Sequence, residues 1–543
     1  MGESAASERL AHSADQSSAH AGDLEDYLSK LYLPVGSRIL SGDPANRAHL
    51  HRKFGDGAHI TSIDSRDLLA AIERRFRYAF RDRAVRALAD NAPEFSASTV
   101  ITRGQIFAIA GVMIAAATML FLVPHRTSVA LSEATAGLFL MNAVFRATLF
   151  LVGSGYRPRQ PKPLTDGELP TYTVLVPLYR EANVVSALVG ALMALDYPRD
   201  RLDIKLIVEA DDHQTVRTAR EAAALHPCCS VISVPPGTPR TKPRACNYAL
   251  PFALGEFTVI YDAEDRPEPD QLRKAAAAFR DTPDSIACFQ ARLNFYNAND
   301  GWLTKLFTLD YLLWFGCLLP GLERLNIPMP LGGTSNHFRT AALRSIHAWD
   351  PYNVTEDADL GIRLARVGLR VRVLDSTTFE EATSQLGPWM RQRSRWLKGY
   401  MQTWLVHMRS PLSLLRQAGV RGFLGVQLFI AGTFLAAILN PLLWGIAICG
   451  ALLGPSAASV AHVSLVSLLI GNSLFVCLAA LGPARQGSGF EFAPYGLAAP
   501  IYWLLISAAG IRALYQLCTR PWHWDKTPHG VSKSILASRG EKG

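Results

Sequence analysis

Two hydrophobic rhythms run along the chain, and each predicts a different kind of structure. Residues 105–123 and 134–152 are almost entirely apolar, and three more apolar stretches lie between 422 and 517. A helical bilayer crossing takes roughly 20 such residues. The pattern therefore predicts a transmembrane hairpin over 101–152, turning at Pro124 and His125, and further transmembrane helices over 421–517. The first apolar stretch follows about a hundred mostly polar residues, which is not the arrangement of a cleavable signal peptide. Between the two groups the rhythm changes. β-branched runs such as Tyr172-Thr-Val-Leu-Val-Pro, Ile204-Lys-Leu-Ile-Val-Glu and Phe257-Thr-Val-Ile-Tyr-Asp alternate with alanine-rich stretches, as in an α/β domain. That domain, with interfacial helices, is expected over 153–420. Nearer the start, Leu68, Ile72, Phe76 and Phe80 fall at helical spacing, which predicts a small α/β cytoplasmic domain over 24–100. Residues 1–23, rich in Ser, Ala and His, are expected to be disordered.

Composition agrees with a membrane protein: 49% of residues are hydrophobic and the mean hydropathy is +0.12. The net charge of +9 does not point to nucleic acid, because the basic residues cluster beside the apolar segments. Arg157, Arg159 and Lys162 follow the hairpin, and Arg512, Arg520 and Lys526 surround the last stretch. Lys and Arg mark the cytoplasmic side of membrane spans. The eight cysteines form no CxxC pair and are expected to be reduced thiols. If 422–454 crosses once, the tail at 518–543 lies outside. If Asn440-Pro441 breaks it into two crossings, the tail returns to the cytoplasm, and the basic tail favours this even count.

Strand ends are where chemistry is expected in such sheets. Asp262-Ala-Glu-Asp265 closes an apolar run with carboxylates, and no lysine or arginine stands inside the motif to pair with them. Hard oxygen ligands of this kind suit Mg²⁺ or Mn²⁺ bridging a diphosphate. Thr355-Glu356-Asp357 precedes an amphipathic helix and is either a helix cap or a catalytic carboxylate. Gln392-Arg-Ser-Arg-Trp396 places guanidinium groups, which pair with phosphates, beside an indole that offers a flat face to a sugar ring.

In that order, the acidic strand end, the TED motif and QxxRW resemble the processive family 2 glycosyltransferases, such as cellulose, chitin and hyaluronan synthases. The resemblance implies a GT-A-type glycosyltransferase domain, a Rossmann-like mixed sheet, embedded in a helical membrane bundle. Val176-Pro-Leu-Tyr-Arg-Glu181 is similar to the family's first nucleotide-binding strand and puts Tyr179 and Glu181 near the nucleotide. Glu209-Ala-Asp-Asp212 stands where the family has paired aspartates, so Glu209 and Asp211 are expected at the base. Thr241-Lys-Pro-Arg-Ala-Cys-Asn247 brings Lys242 to the nucleotide. Asp262, Glu264 and Asp265 become the metal ligands and Asp357 the catalytic base. Arg395 would contact the diphosphate, while Glu356, His337, Gln392, Arg393 and Trp396 would line the acceptor. Trp524-Asp-Lys-Thr-Pro-His-Gly530 resembles the loop that closes over UDP in cellulose synthases, with Lys526 and Thr527 reaching the nucleotide. Residues 24–100 look like the amino-terminal module of type II secretion ATPases, some relatives of which bind cyclic di-GMP.

The resulting expectation is an inverting, processive transferase in a bacterial inner membrane with its catalytic domain cytoplasmic. It would use a UDP-sugar, preferably UDP-glucose, to extend a β-linked polysaccharide, mixed linkage included, and pass it through the bilayer to an envelope export partner. Two other readings stand beside it: non-processive transfer to a lipid-linked acceptor, and a membrane assembly component of a secretion system.

Overall fold

The computed structural model describes residues 26–28, 30–35, 38–43, 47–54, 59–158, 160–452, 458–485 and 491–525. The segment 1–23 and the residues Lys526 and Thr527 lie outside these described residues. Near the amino terminus, strands β1 (Tyr32–Val35), β2 (Arg38–Ser41) and β3 (His59–Ser62) form one small sheet. Helix α1 (Ser65–Asn91) packs against it. Leu68, Ile72, Phe76 and Phe80 are all buried on α1, as their spacing predicts. The same apolar face extends into the core of the larger domain beside Leu175, Tyr248 and Phe252.

Helices α2 (Arg103–Leu122) and α3 (Pro124–Gly153) follow. Thr102 and Gln105 cap α2 reciprocally, and Pro124 starts α3, where a missing N–H costs nothing. No residue of α2 is buried; Phe107, Ile114 and Phe121 face outward, a surface suited to lipid rather than water.

The α/β region is built on an eight-stranded mixed sheet of order β6-β5-β4-β7-β10-β9-β11-β8. Its parallel half comprises β4 (Tyr172–Leu178), β5 (Leu202–Glu209), β6 (Cys229–Val234) and β7 (Phe257–Ile260). These are the β-branched runs seen in the sequence, and β5 is buried along its whole length, as strands covered on both faces are. The rest of the sheet is β8 (Arg266–Pro267), β9 (Ile286–Phe295), β10 (Asn336–Arg339) and β11 (Arg370–Glu380). The helices that shape the site are α4 (Lys242–Ala249), α5 (Trp302–Leu313), α6 (Glu356–Arg366) and α7 (Leu386–His407).

After α7 come α8 (Pro411–Gly425), α9 (Gly432–Leu452), α10 (Ala458–Arg485) and α11 (Ala499–Thr519). The expected break at Asn440-Pro441 is not there: α9 continues through Pro441. Asn440 donates instead to the Asn472 side chain of α10 at 2.9 Å, and neighbours of this kind let a membrane helix tolerate proline. The bend lies earlier, at Gly419, whose φ of +69° is left-handed. Six described helical runs are long and apolar enough to cross a membrane. One of them, Trp302–Arg324, lies inside the region expected to be cytoplasmic, and it is the most buried of the six. Its mixture of Thr, Lys and Asp with apolar residues hid it from the apolar-run criterion.

Candidate active site

β4, β5 and β7 run parallel, so their carboxyl ends open on one edge. A cavity of about 410 Å³ starts there and runs into the helix bundle. Tyr179, Glu181, Glu209 and Lys242 line one part of it, Asp262, Glu264, Glu356 and Asp357 another, and Gln392, Arg393, Arg395 and Trp396 a third. The separate motifs of the sequence therefore meet around one space.

Around Tyr179 and Glu209 the cations do more than expected. Both oxygens of Glu209 accept from Arg244 Nη2, at 2.6 and 2.5 Å, and Arg244 has no exposed surface. Burial raises the Glu209 carboxyl, and Arg244 opposes that rise. Asp211 pairs with Arg240 at 2.6 Å and does not line the cavity. Each of the two carboxylates expected at the nucleotide is thus engaged by an arginine. The physical reason is that Glu209 is almost wholly buried, where a bare charge must be paired. Arg240 does line the cavity, donating to the Tyr179 hydroxyl at 3.3 Å with its guanidinium 5.5 Å from that ring.

The acidic motif also has a cation, from outside itself. Lys242, first residue of α4, donates to Asp262 and, at 2.5 Å, to the Gly333 carbonyl. Burial would lower the Lys242 ammonium, yet Asp262 and Glu356 hold it above the usual range. Asp265 is buried; its Oδ2 accepts from the Asp262 N–H at 2.8 Å and from the Thr334 hydroxyl. Asp265 Oδ1 has no partner, and neither does the buried Oε1 of Glu380 at the end of β11. Burial first, then the neighbouring Asp262 and Glu264, push Asp265 well above the carboxylate range; Glu380 is raised by burial and by the same three acids. Two orphaned carboxylate oxygens among crowded acids fit a hard cation. Among the described residues no three such side chains form a ready-made cage.

Glu356 and Asp357 open α6. Thr355 makes no side-chain cap bond, while Asp357 Oδ1 accepts from the Ala358 N–H at 2.7 Å. Burial and the adjacent Asp357 push Glu356 up to about 8, and burial raises Asp357. Helix α7 holds the loop in front of them. Asn353 donates to Thr403 at 3.0 Å, and the Val354 N–H donates to Gln402 at 3.1 Å. Gly399 makes this approach possible, since a Cβ there would sit 2.2 Å from Thr355 Oγ1. One turn away on α7, Trp396 lies 6.3 Å from the Tyr311 ring at 28°, with the Arg393 guanidinium 4.6 Å from its own ring. Arg393 pairs with Asp310 at 2.8 Å and donates to Tyr502 at 2.6 Å. Gln392 accepts from Thr383 at 3.3 Å.

His337 is a second correction. It sits in the middle of β10, fully buried, with Nδ1 2.7 Å from the Tyr172 hydroxyl and Nε2 3.2 Å from Gln271. Burial lowers it to about 3. Strand alternation directs it into the core, so it holds the sheet and does not reach an acceptor. The Gly332, Gly333 and Thr334 positions of the same loop reach the cavity instead. The tail lies against the catalytic region as far as it is described: the Arg395 guanidinium sits 5.2 Å from the Trp524 ring, which lines the cavity.

Residues 170–399 match the family model described as "Glycosyltransferase like family 2". This stretch is a family 2 glycosyltransferase domain. Its mixed sheet with acidic strand ends is GT-A-like. The chain is 24% identical over 234 residues to a probable glycosyltransferase, YdaM, of Bacillus subtilis, a match covering 43% of this chain and 56% of that protein. It thus spans little more than half of that relative's length. It is 25% identical over 406 residues to a beta-monoglucosyldiacylglycerol synthase of Synechocystis, covering 69% of this chain and 79% of that one. It is 27% identical over 246 residues to glucomannan 4-beta-mannosyltransferase 2 of Arabidopsis thaliana, covering 44% and 45%. Among solved structures, the mannosyltransferase PcManGT of Pyrobaculum calidifontis in complex with GDP-Man and Mn²⁺ matches with 19% identity and a TM-score of 0.45, over 72% of this chain and 99% of that one.

The arginines 240 and 244 and the carboxylate Glu380 were missed in the sequence, though signals existed. The two arginines flank Lys242, Arg244 inside the same motif and Arg240 just before it, and Glu380 closes a β-branched run, as Glu209 does.

Proposed function

We propose that the protein is a membrane-embedded enzyme that transfers a sugar from a UDP-sugar, with inversion, to a growing β-linked polysaccharide that leaves through the helix bundle. The observation that carries this reading is the single cavity joining the strand-end carboxylates, the Trp396–Tyr311 pair and polar positions of the bundle such as Arg146, Asn440 and Asn472. Polar residues inside apolar helices mark substrate paths, and hydroxyl-rich sugar chains suit them better than acyl chains do.

In this reading Arg240, Lys242 and Arg395 balance the diphosphate charge. Asp262, Glu264 and Asp265 would hold Mg²⁺ or Mn²⁺, with Glu380 alongside, and so bring positive charge to the departing UDP. Asp357 accepts the proton of the acceptor hydroxyl as it attacks the anomeric carbon. Trp396 keeps the acceptor ring in register, and Glu356, protonated at neutral pH by the same burial, donates rather than accepts a hydrogen bond. The membrane is a bacterial inner membrane and the catalytic domain is cytoplasmic, with α2–α3 and α9–α10 as two crossing hairpins, while α11, packed through Ala509 and Ala513 on Leu397 and Met401 of α7, lies along the bundle without crossing. The contacts of the tail with α7 support this even count of crossings.

The relatives named as diacylglycerol glucosylating enzymes favour a second reading, single transfer to a lipid acceptor. One experiment separates the two. Purified protein in nanodiscs is given each UDP-sugar in turn, and the products are partitioned between solvent and water. A ladder of water-soluble oligomers supports the polymer reading, whereas a single solvent-extractable glycolipid replaces it with the lipid reading.

A further inference from the structure

The short segment 93–99 between α1 and α2 makes contacts that the catalytic scheme above does not use. Ser96 and Ala97 are fully buried. The carboxylate of Asp350, also fully buried, accepts from the Ala97 N–H, from the Ser96 hydroxyl at 3.3 Å and from the Tyr352 N–H at 3.1 Å. The Ala97 carbonyl accepts from the Trp522 indole at 2.9 Å, and the Trp522 ring meets Tyr352 edge-on at 6.1 Å. The two backbone polar groups of one residue thus hold two distant parts of the chain. The N–H holds the loop that runs into Asp357, and the C=O holds the tail. Arg409, just beyond α7, fixes the segment by donating to the Pro93 and Ser96 carbonyls, both at 2.9 Å, and to that of Thr99.

The tail and the loop meet again on the far side. Gln402 of α7 donates to the Pro521 carbonyl at 3.1 Å and accepts from the Val354 N–H at 3.1 Å. Lys398 donates to the His523 carbonyl at 2.7 Å. The amino-terminal module is tied to the same assembly: Asn247 of α4 donates to the Ala84 carbonyl at 3.0 Å and the Trp349 carbonyl at 2.8 Å, and Tyr248 donates to Glu73.

We infer that residues 93–99 form a relay in which Asp350 and Trp522 are positioning residues: through Ala97 they set the tail and the Asp357 loop together, and they couple both to the amino-terminal module. The inference rests on the proposed function in taking the cavity as the donor site. If the tail must be seated for the donor to be held, unseating it lowers the competent fraction and raises the apparent KM by the same factor. Loss of one such hydrogen bond is expected to raise KM about three- to tenfold.

Trp522→Phe removes the indole N–H and keeps the ring against Tyr352, while Asp350→Asn disturbs only the other end of the relay. Ser96→Ala is a milder third variant should Asp350→Asn fail to fold. Hydrogen exchange at 520–525, measured without substrate in nanodiscs, is expected to speed up in all three, including the two whose altered side chain does not touch the tail. The donor KM for UDP release is expected to rise in each single variant, and the double variant Trp522→Phe/Asp350→Asn to match the larger single effect. Unchanged tail exchange in both Asp350→Asn and Ser96→Ala, or KM effects that multiply in the double variant, would overturn the relay. Absence of UDP release from the unaltered protein would sink the proposed function instead, leaving the exchange data to decide the relay.

Discussion

Replacing Asp357 by Asn tests the assignment of the base, and the structure sets both its cost and its effect. The amide keeps an oxygen where Oδ1 now accepts from the Ala358 N–H at 2.7 Å, so the local turn survives. Burial already disfavours the ionised form, so losing the charge removes an energetic burden as well as the attraction of Lys242 and Arg395. The net change in stability is expected to stay below about 1 kcal/mol, as for substitutions that leave no buried group unpaired. Turnover depends on a proton acceptor that the amide lacks. General bases contribute about a hundredfold or more, and a hundredfold is about 2.7 kcal/mol at 1.36 kcal/mol per decade. Glu356→Gln is the control next door. Its carboxyl, pushed up to about 8, carries a proton at neutral pH, so glutamine copies its working state and turnover should fall about tenfold at most. UDP release gives turnover, and calorimetric titration of UDP shows whether the donor still binds. If Asp357→Asn keeps a tenth of the turnover, or Glu356→Gln falls as far as it does, the division of roles is wrong.

Asp262→Asn should weaken Mn²⁺ binding at least about tenfold, read by Mn²⁺ electron paramagnetic resonance, and EDTA should stop UDP release until Mg²⁺ or Mn²⁺ is restored; full activity in chelator removes the metal from the scheme. Arg244→Met strands the buried Glu209 and should cost about 3–5 kcal/mol, seen as a large fall in thermal midpoint; a small shift would mean that the pair is solvated. His337, lowered to about 3 by burial, binds one proton fewer in the folded than in the unfolded state between that value and an unfolded value of about 6.5. Stability is therefore lost as pH falls below about 6.5, by about 1.4 kcal/mol per unit. The acid-side slope of a pH–stability profile should flatten by about one proton in His337→Gln. Trp396→Leu should shorten the polymer while UDP affinity holds, because only the acceptor side loses its aromatic face.

What the sequence determined by itself was set by local rules. Apolar runs of membrane length became helices α2, α3, α9, α10 and α11, because the spacing and length of side chains decide burial in lipid. The β-branched runs became β4, β5 and β7, and their polar endings collected Asp262, Glu264 and the residues around Tyr179 on one edge, since parallel strands share a direction. Leu68, Ile72, Phe76 and Phe80 fell on one face of α1 for the same periodic reason. Tertiary structure decided everything that depends on which charge meets which. Glu209 and Asp211 were expected at the base with no sign that Arg244 and Arg240 would pair with them, and Asp262 lacked a cation until α4 delivered Lys242. His337 looked like a loop ligand, but strand alternation put it in the core. Pro441 looked like a break, but the packed neighbours of α9 carried the helix through it. The meeting of Ala97, Asp350 and Trp522 joins residues more than 150 apart in sequence, and no local pattern marks it. Such contacts are fixed by the burial of polar groups, each of which must find a partner wherever the fold brings one.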